Sequence, residues 1–370
     1  MKTIAIIADY NPFHNGHQLQ LKLAKEQYYA DRIIIAMTGN FTQRGDPAVF
    51  SKHVRAEMAL KCGADAVIEI PFGLATSGLD NFAMGAVSIL NNIGSVDYLL
   101  FGSECGDIEL INKLALSMQD DDTYRIIRSG MSKGISVDDC KKTRLNKYFK
   151  ETEMDGVIDL IRKPNNILGI LYLYNLVRLN SSIIPITHQR VGQDYLDEKI
   201  YDKEYASASS IRNQLQRGDN IESALKGVPE CLWNYYRKPF ARFLFFENVL
   251  EMIESVEELF ETEEDIYELG REIIKCVSRE SGGAYPAKFK RGCLHSLTKL
   301  TVDEMNQIIA GLNCIFINVI GCRDELIKNE IMICNTIRKM DEELISLQQD
   351  IERRADNLYN KLKGAIEVEG

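Results

Sequence analysis

The chain has 370 residues, a formal net charge of −10 and 45% hydrophobic residues. This length suffices for two domains, or for one α/β domain with a helical appendage. The negative charge argues against a protein that binds nucleic acid through its overall field, so any RNA contact would depend on local basic patches. Nine scattered cysteines include no Cys-x-x-Cys pair, which argues against a disulfide framework or a zinc site and favours reduced thiols in a cytosolic protein.

Short apolar runs alternate with helical patterns through the first half of the chain. Runs at residues 3–8, 33–37, 66–70, 98–101 and 183–186 predict parallel strands, and residues 54–62 and 82–93 predict helices between them. This alternation predicts an α/β fold with a doubly wound parallel sheet. The first apolar run is only about six residues long, so it is neither a signal peptide nor a membrane span, and we expect no membrane partner.

Strand signals stop between Asp107 and about Lys163, where a polar helical stretch predicts an insertion near residues 107–163. After about Arg217 the pattern is helical to the end. We therefore predict a sheet domain over residues 1–216 and a helical C-terminal domain over 217–370. Apolar residues at spacings of three and four, with one longer gap that Ala355 fills, predict a long terminal amphipathic helix that packs on its own domain rather than in a coiled coil. They are Ile333, Ile337, Met340, Leu344, Leu347, Ile351, Leu358 and Leu362.

Two histidines and a glycine lie between the first predicted strand and the first predicted helix, in the run His14-Asn15-Gly16-His17. Free backbone N–H groups and the helix dipole favour a phosphate at such a turn. His14 and His17 are expected to project from one helix face, and Gly16 allows a phosphate to approach the backbone. Each imidazole can donate hydrogen bonds to the α-phosphate as charge builds there during nucleotidyl transfer. The run therefore predicts a nucleoside triphosphate site.

Two further loops end predicted strands. Residues 38–47 follow the second strand at the carboxyl edge, where ligands bind in open α/β sheets, so they suit a substrate pocket; a plain surface turn is the alternative. Gly102, in the run 101–104, either allows a base or ribose to lie against the backbone or only forms a tight turn.

Polar residues also lie at predicted helix starts. Ser209, Ser210 and Arg212, in the run 206–212, can bind the β- and γ-phosphates opposite the histidine loop, although a simple capped helix explains them too. The amides that follow Pro164 either contact the nucleotide or cap a helix. Arg190, just after a strand, can stack on adenine or pair with phosphate, whereas spacing alone favours an ordinary surface arginine.

Together these runs resemble the nucleotidyltransferase superfamily that carries the His-x-Gly-His signature, and more closely the tRNA(Met) cytidine acetate ligase family. The matching stretches occur in the family's order over about the first 215 residues: 9–17, 38–48, 82–87, 101–104, 164–169 and 206–212. The chain departs from the family pattern at Asp9, where the family usually has glutamate, and at residues 78–80, where it tends to show Ser-Ala-Glu. In the last third only residues 288–291 and 316–321 match, and loosely.

The resemblance implies a nucleotidyltransferase-like Rossmann fold and a cytoplasmic enzyme that uses ATP, with Mg²⁺ on its phosphates, to convert acetate into acetyl-adenylate. It further implies transfer of the acetyl group to N4 of the wobble cytidine of elongator tRNA(Met). Combining the motifs and the resemblance, the expected catalytic residues are His14, His17 and Arg212, and no residue is expected to bind a resident metal. The expected nucleotide-binding residues are Ile7, Asp9, Asn11, Gly16, Gln20, Gly102, Asn165, Arg190, Val191, Ser209 and Ser210.

Two other functions remain open. An adenylyltransferase or acyl-adenylate ligase acting on a small metabolite would use the same motifs, and the acidic balance favours it. A non-catalytic ATP-dependent RNA-binding or scaffold protein would not need both histidines. Basic residues favour tRNA if they share one face: Lys141, Lys142, Arg144, Lys147, Lys150, Arg237, Lys238, Arg242, Lys288, Lys290 and Arg291.

Overall fold

A computed structural model describes residues 1–133, 145–150, 154–190, 206–217, 221–237, 287–312, 315–337 and 342–367. Its sheet has six strands in the order β5-β4-β1-β2-β3-β6. They are β1 (Thr3–Ala8), β2 (Arg32–Thr38), β3 (Ala66–Ile70), β4 (Tyr98–Ser103), β5 (Ile184–Gln189) and β6 (Asn318–Cys322). The first five strands pair in parallel. The predicted parallel α/β sheet is confirmed.

Helices connect the strands and cover both faces of the sheet. In the first half they are α1 (Asn15–Glu26), α2 (Lys52–Lys61), α3 (Phe72–Ala75), α4 (Leu79–Ile93), α5 (Ile108–Ser117), α6 (Asp121–Lys133), α7 (Leu145–Tyr148), α8 (Met154–Arg162) and α9 (Pro164–Arg178). Later in the chain they are α10 (Ala208–Arg217), α11 (Ile221–Leu225), α12 (Trp233–Arg237), α13 (Ala287–Leu297), α14 (Val302–Ala310), α15 (Glu325–Ile337) and α16 (Glu342–Glu367). Between β4 and β5 the described elements are the helices α5 to α9, and the insertion near residues 107–163 stays a prediction.

Alternate residues of the central strands pack into two separate cores. Ile4 and Ile6 of β1 belong to one core, and Ala5 between them belongs to the other. Successive side chains of a strand point to opposite faces, so a sheet with helices on both faces buries every position. All seven residues of β2 are accordingly buried. The carboxyl ends of β1 to β4 are left as the edge at which polar loops gather.

The prediction that the chain is helical after Arg217 is wrong at one place. Residues 318–322 form β6, which pairs antiparallel with β3 at the edge of the sheet. The apolar, β-branched run around Val319 and Ile320 was the available signal, but it is short and lies among helical patterns. The division into two domains near residue 217 stays a prediction.

The predicted C-terminal helical stripe is divided between α15 and α16, and residues 338–341 lie outside the described residues. The helix α16 packs on the sheet domain. Its Tyr359 hydroxyl donates to the Ala48 carbonyl at 3.1 Å, and Ile351 and Leu358 join the core that contains α4. The apolar stripe of α16 therefore packs against the sheet domain as well as against neighbouring helices. Among the described residues, no helix combines the length and apolar character needed to cross a membrane.

Candidate active site

The loop after β1 ends in a helix cap made by two histidines. His14 is the N-cap of α1, and its Nδ1 accepts a hydrogen bond from the Gly16 N–H at 3.1 Å. Reciprocally, the His14 N–H donates to Nδ1 of His17 at 3.2 Å. Because both Nδ1 atoms accept, the neutral rings carry their protons on Nε2. The cap thus selects a tautomer in which each imidazole has an Nε2–H donor.

Both imidazoles are held in their neutral forms. Burial, together with the charges of Arg190 and Arg212, lowers the pKa of His14 to about 3. Burial also places the pKa of His17 well below its usual value, with His14 and Arg190 as the next causes. The two rings are stacked, with centroids 3.7 Å apart. At neutral pH the pair therefore acts through N–H dipoles, while the nearby arginines supply positive charge.

The tight geometry of this turn requires glycine at position 16. A Cβ there would lie 2.9 Å from Cε1 of His14, so any side chain would displace the ring. The expectation of free backbone N–H groups in the first turn of α1 is wrong, however. The Asn15 N–H donates to the Gly227 carbonyl at 2.9 Å, and the His17 N–H donates to the His14 carbonyl at 2.9 Å. In this turn the donors available to a phosphate are therefore side-chain N–H groups, and not the backbone N–H groups of the first turn of α1.

Arg212 joins the histidine loop from the opposite side, as its predicted place on a helix start requires. Its Nη1 donates to the Asn11 carbonyl at 2.5 Å and its Nη2 to Oγ of Ser209 at 3.0 Å. Ser207 is the cap, because its Oγ accepts from the Ser210 N–H at 3.1 Å. The Ser210 hydroxyl is fully buried and donates to the Ser207 carbonyl. Ser210 thus has a capping role here, and its expected phosphate contact is not supported.

Arg190 approaches the histidines from the end of β5. Its Nη1 donates to Oδ1 of Asn165 at 3.2 Å, and the Asn165 Nδ2 donates to Oε1 of Glu104 at 2.7 Å. A Cβ on Gly102 would lie 3.0 Å from Cγ of Arg190. The glycine at the end of β4 therefore makes room for the arginine side chain. Asn165 acts as the link that orients Arg190.

Asn166 is the second of the two amides that follow Pro164, and its side chain is bonded within the protein. Its Oδ1 accepts from the Glu104 and Cys105 N–H groups at 2.9 and 3.1 Å. The Glu104 carboxylate in turn accepts from the Asn166 N–H at 2.8 Å. This exchange of hydrogen bonds joins the end of β4 to the start of α9. The Glu104 carboxylate, which also accepts from the Asn165 N–H, caps the first turn of α9, and the Asn166 amide binds the backbone after β4, which is neither of the two predicted roles.

The remaining predicted residues surround the same loop. Ile7 is half-buried near the end of β1, and the Gln20 amide donates to the Leu100 carbonyl at 3.3 Å. The Asn11 side chain accepts from the Val49 N–H at 2.8 Å and so ties the histidine loop to residues 38–50. Burial raises the pKa of Asp9, against the lowering effects of the Thr38 hydroxyl and the Arg55 charge. Val191 lies outside the described residues.

Arg55 is a site residue that the sequence analysis missed. It is fully buried, and its Nη1 donates to the Asp9 carbonyl at 2.5 Å. Its Nη2 donates to the carbonyls of Thr38, at 3.1 Å, and Gly39, and its Nε donates to Phe50. One guanidinium thus joins the ends of β1 and β2, from which the two polar loops start. An arginine on an otherwise ordinary helix pattern carries no sequence signal for this role.

A second group, which we call the Lys52 cluster, consists of Lys52, Glu69 and Asp356. The Lys52 ammonium lies 2.9 Å from Oε1 of Glu69 and 2.7 Å from Oδ2 of Asp356. Burial disfavours the charged lysine, but Glu69, Glu352 and Asp356 outweigh it and raise the pKa of Lys52. Lys52 and Asp356 of the cluster line a cavity of about 310 Å³ beside α16. Its members are 17 and 304 residues apart in the chain, so spacing could not have revealed it.

The predicted substrate loop, residues 38–47, lies between these two groups; together with Ala48, to which the family resemblance extends, we call it the 38–48 loop. Gly45 has a φ of +84°, and a Cβ there would meet the Arg291 backbone nitrogen at 2.8 Å. The Arg291 Nη1 donates to the Gln43 carbonyl at 3.3 Å, and Lys290 pairs with Asp46. The loop is therefore a structured element held against α13. Two of the expected basic residues adjoin it, and residues 141–144 and Lys238 and Arg242 lie outside the described residues.

The comparison with protein families decides which superfamily this geometry belongs to. The sequence profile described as HIGH Nucleotidyl Transferase matches residues 1–367. The chain belongs to this family. Its two histidines and glycine are the residues on which the sequence resemblance rested, and the described fold places them at a helix start after the central strand β1.

Curated relatives of this HIGH nucleotidyltransferase carry one name. The chain is 41% identical over 240 residues to a tRNA(Met) cytidine acetate ligase of Clostridium perfringens, with 63% of this chain and 60% of the relative covered. It is 41% identical over 222 residues to a protein of the same name from Acetivibrio thermocellus, with 60% and 53% covered. The matched part of the chain thus spans less than two thirds of the length of these relatives.

Solved structures extend the similarity over nearly the whole chain. Apo TmcAL from Thermotoga maritima superposes with a TM-score of 0.78 at 26% identity, covering 99% of this chain and 96% of that one. The same protein bound with alpha-thio ATP superposes with a TM-score of 0.75 at the same identity and coverage. The six-stranded fold of this HIGH nucleotidyltransferase is therefore that of an enzyme structure known with a bound ATP analogue.

Proposed function

We propose that this HIGH nucleotidyltransferase activates acetate with ATP and transfers the acetyl group to N4 of the wobble cytidine of elongator tRNA(Met). The observation that carries the proposal is the neutral imidazole pair of His14 and His17, whose Nε2–H tautomers are set by the α1 cap and which lies close to Arg190 and Arg212. The name of the curated relatives and the ATP analogue bound to the Thermotoga maritima protein support the choice of substrates.

In the first step an acetate oxygen attacks the α-phosphorus of ATP, the bond to the bridging oxygen breaks, and pyrophosphate leaves. Negative charge grows on the α-phosphate oxygens in the transition state. The Nε2–H groups of His14 and His17 would donate to those oxygens, and a dipole already oriented by a cap needs no reorganisation. Arg212, anchored on Asn11 and Ser209, would pair with the β- and γ-phosphates.

In the second step the N4 amine of cytidine attacks the acetyl carbonyl, AMP leaves, and N4 loses a proton. The cytidine must reach the edge of the sheet where the adenylate forms. Lys290 and Arg291 adjoin the 38–48 loop at that edge, so they are candidates for contacts with the tRNA backbone. Because Lys290 already pairs with Asp46, Arg291 offers the stronger free charge to RNA.

Magnesium enters the proposal with the nucleotide. Among the described residues, no group of three or more His, Cys, Asp or Glu side chains could hold a metal ion. Mg²⁺ commonly keeps several waters and binds substrate phosphates with only one or two carboxylates. An ion carried by the ATP phosphates fits this donor set, and when bound it would neutralise phosphate charge. Asp9 is the carboxylate closest to the histidine loop in sequence.

We also propose that the sheet domain, residues 1–216, forms the adenylate and that residues 217–370 contribute to tRNA binding. The contacts of α16 and α13 with the 38–48 loop support a shared site. A cytoplasmic location follows from tRNA as acceptor.

The proposal is tested by incubating the protein with ATP, Mg²⁺ and radiolabelled acetate, with and without an elongator tRNA(Met) transcript. In a parallel reaction with unlabelled acetate and radiolabelled pyrophosphate, we expect acetate-dependent exchange of label from pyrophosphate into ATP without RNA. With labelled acetate, we expect label on the RNA when it is present. A transcript with uridine at the wobble position lacks the N4 amine and should remain unlabelled. Exchange that depends on another small acid would favour a small-metabolite ligase, and absence of exchange would contradict adenylation altogether.

A further inference from the structure

Two cysteines that are far apart in sequence meet on the surface behind the histidine loop. Cys62 is the C-cap of α2, and Cys231 lies in a short 3₁₀ turn, Glu230–Leu232. Their Sγ atoms are 3.8 Å apart although 169 residues separate them in the chain. Cys231 is exposed and Cys62 is half-buried. The sulfur atoms are in contact, and a disulfide bond of about 2.05 Å needs a movement of less than about 2 Å.

The turn that carries Cys231 belongs to a segment supporting the histidine loop. In residues 221–237, the Gly227 carbonyl accepts from the Asn15 N–H at 2.9 Å. Further along, the Tyr236 hydroxyl donates to the Phe13 carbonyl at 2.5 Å. The partner of this segment is α2, the helix that carries Arg55. A bond between the two cysteines would therefore join the two elements that hold the histidine loop and the end of β2.

We propose that Cys62 and Cys231 form a redox-active thiol pair, which a low-molecular-weight disulfide such as oxidised glutathione closes into a disulfide bond. The site is a modification site separate from the nucleotide site, and the proposal does not depend on which acyl acceptor the enzyme uses. Reduction by a small thiol reverses it.

The chemistry begins at the exposed sulfur. The Cys231 thiolate attacks the small disulfide, one small thiol leaves, and a mixed disulfide remains on Cys231. Cys62 then loses its proton to solvent and attacks Sγ of Cys231, which releases the second small thiol. Two electrons and two protons pass from the cysteines to the small disulfide. Burial, with the nearby Cys231 sulfur, raises the pKa of Cys62, so Cys231 is the first nucleophile and Cys62 the resolving thiol.

The bond should stabilise the folded chain, because it removes entropy from the unfolded state by closing a long loop. For a chain of this size we expect the melting temperature to rise by roughly 3–8 °C. The rise should disappear on reduction. The 221–237 segment should also exchange its amide hydrogens more slowly, since its local opening would require breaking the bond.

The test uses the full chain, oxidised and reduced glutathione at several ratios, and four proteins: the parent, Cys62→Ser, Cys231→Ser and Cys322→Ser. Peptide mapping without reduction should identify a Cys62–Cys231 linkage in the parent and in Cys322→Ser, with the same rise in melting temperature. Neither of the other two variants should show the rise, and Cys62→Ser should accumulate a mixed disulfide on Cys231. The Cys322→Ser variant is the matched control because Cys322 is also a half-buried free thiol.

Three results would overturn the proposal: no linked peptide in the parent at any ratio, a mixed disulfide on Cys231 that never resolves, or an equal rise in melting temperature in Cys62→Ser. Adenylation assays on the same samples are separate from this outcome, since neither cysteine belongs to the nucleotide site.

Discussion

Two polar regions lie at the carboxyl edge of the sheet, and they use their hydrogen-bonding groups differently. The histidine site comprises His14, His17, Arg190 and Arg212. The Nδ1 atoms of both histidines accept hydrogen bonds within the protein, which orients the rings and leaves each Nε2–H as a donor. In the Lys52 cluster, the ammonium of Lys52 is surrounded by carboxylates of two distant elements. The first arrangement keeps oriented N–H donors, which the proposed phosphate would use, whereas the charges of the second are compensated within the protein.

The difference teaches how to separate ligand sites from structural clusters when both hold perturbed titratable groups. Perturbed pKa values occur in both regions, so they do not discriminate between them. The distinction lies in what the charges do: opposite charges compensate one another around Lys52, whereas the arginines near the imidazoles lower the pKa values of the rings and help to keep them neutral. Variants in the first region should therefore change activity, and variants in the second should change stability.

The largest effect is expected for Lys52→Met. Removing the ammonium leaves Glu69 buried without its cation, which costs about 3–5 kcal/mol in the free energy of unfolding. Urea unfolding followed by circular dichroism measures this loss. Lys61→Met, which removes an exposed pair with Glu57 on the same helix and a contact with the Tyr235 ring, is the control and should change stability far less. Equal losses in both variants would remove the distinction between the two regions.

For the histidine site we expect His14→Asn to slow adenylate formation by about 10²-fold, because one transition-state donor is lost. Asparagine is also a good N-cap residue, so the unfolding free energy should stay within about 1 kcal/mol of the parent value. His14→Ala should lose both functions. The two readouts are pyrophosphate exchange and urea unfolding; unchanged exchange in His14→Asn would place the reacting phosphate elsewhere.

Arg55→Lys tests the element that joins the two regions. A lysine cannot reach all four carbonyls, and each buried carbonyl left without a donor costs about 1–3 kcal/mol. We expect a lower unfolding free energy and a slower adenylation rate with little change in the KM for ATP, because Arg55 positions the loops and does not touch nucleotide. Arg55→Met should be worse in both measurements. A change confined to KM would mean that Arg55 contacts ATP itself.

Arg212→Ala should discriminate between nucleotides. If its contacts are with the β- and γ-phosphates, ATP binding should weaken by about tenfold, as the loss of one charge-assisted hydrogen bond predicts. AMP binding should be nearly unchanged. Calorimetric titration with both nucleotides measures the difference, and Arg162→Ala, an exposed arginine on α8, is the control. Equal losses for ATP and AMP would place Arg212 at the adenosine end.

The smallest effect concerns pH. With the pKa of His14 lowered to about 3 and that of His17 also lowered, both rings stay neutral, so adenylation should not change through their titration between about pH 6 and 8. Long-range proton–nitrogen spectra should show Nε2–H tautomers across that range. As pH falls below about 6.5, the unfolded chain binds protons first, so stability should decline toward pH 3. His14→Asn should weaken this decline; a ring titrating near pH 6.5 would contradict neutral donors.

The His-x-Gly-His run between a strand and a helix predicted the position of the histidine loop, because that signal is local. The same holds for the strands β1 and β3, whose predicted bounds are those observed, and for a capped helix start within residues 206–212, where the structure shows Ser207 to be the cap. The sequence-based prediction was wrong where it assumed that every polar group near the histidine loop is available to a ligand. Ser210, Asn166 and the first-turn N–H groups are already bonded, and only the packing shows which partner each has.

The amino-acid sequence by itself determined the parallel α/β sheet, the histidine loop and the family, since period, caps and short motifs are properties of neighbouring residues. Tertiary structure alone decided the antiparallel strand β6, the docking of α16, the role of Arg55 and the Lys52 cluster. Each of these depends on groups brought together from distant parts of the chain, from 17 to more than 300 residues apart. A buried charge is stable only beside its partner, and no local pattern specifies where that partner is.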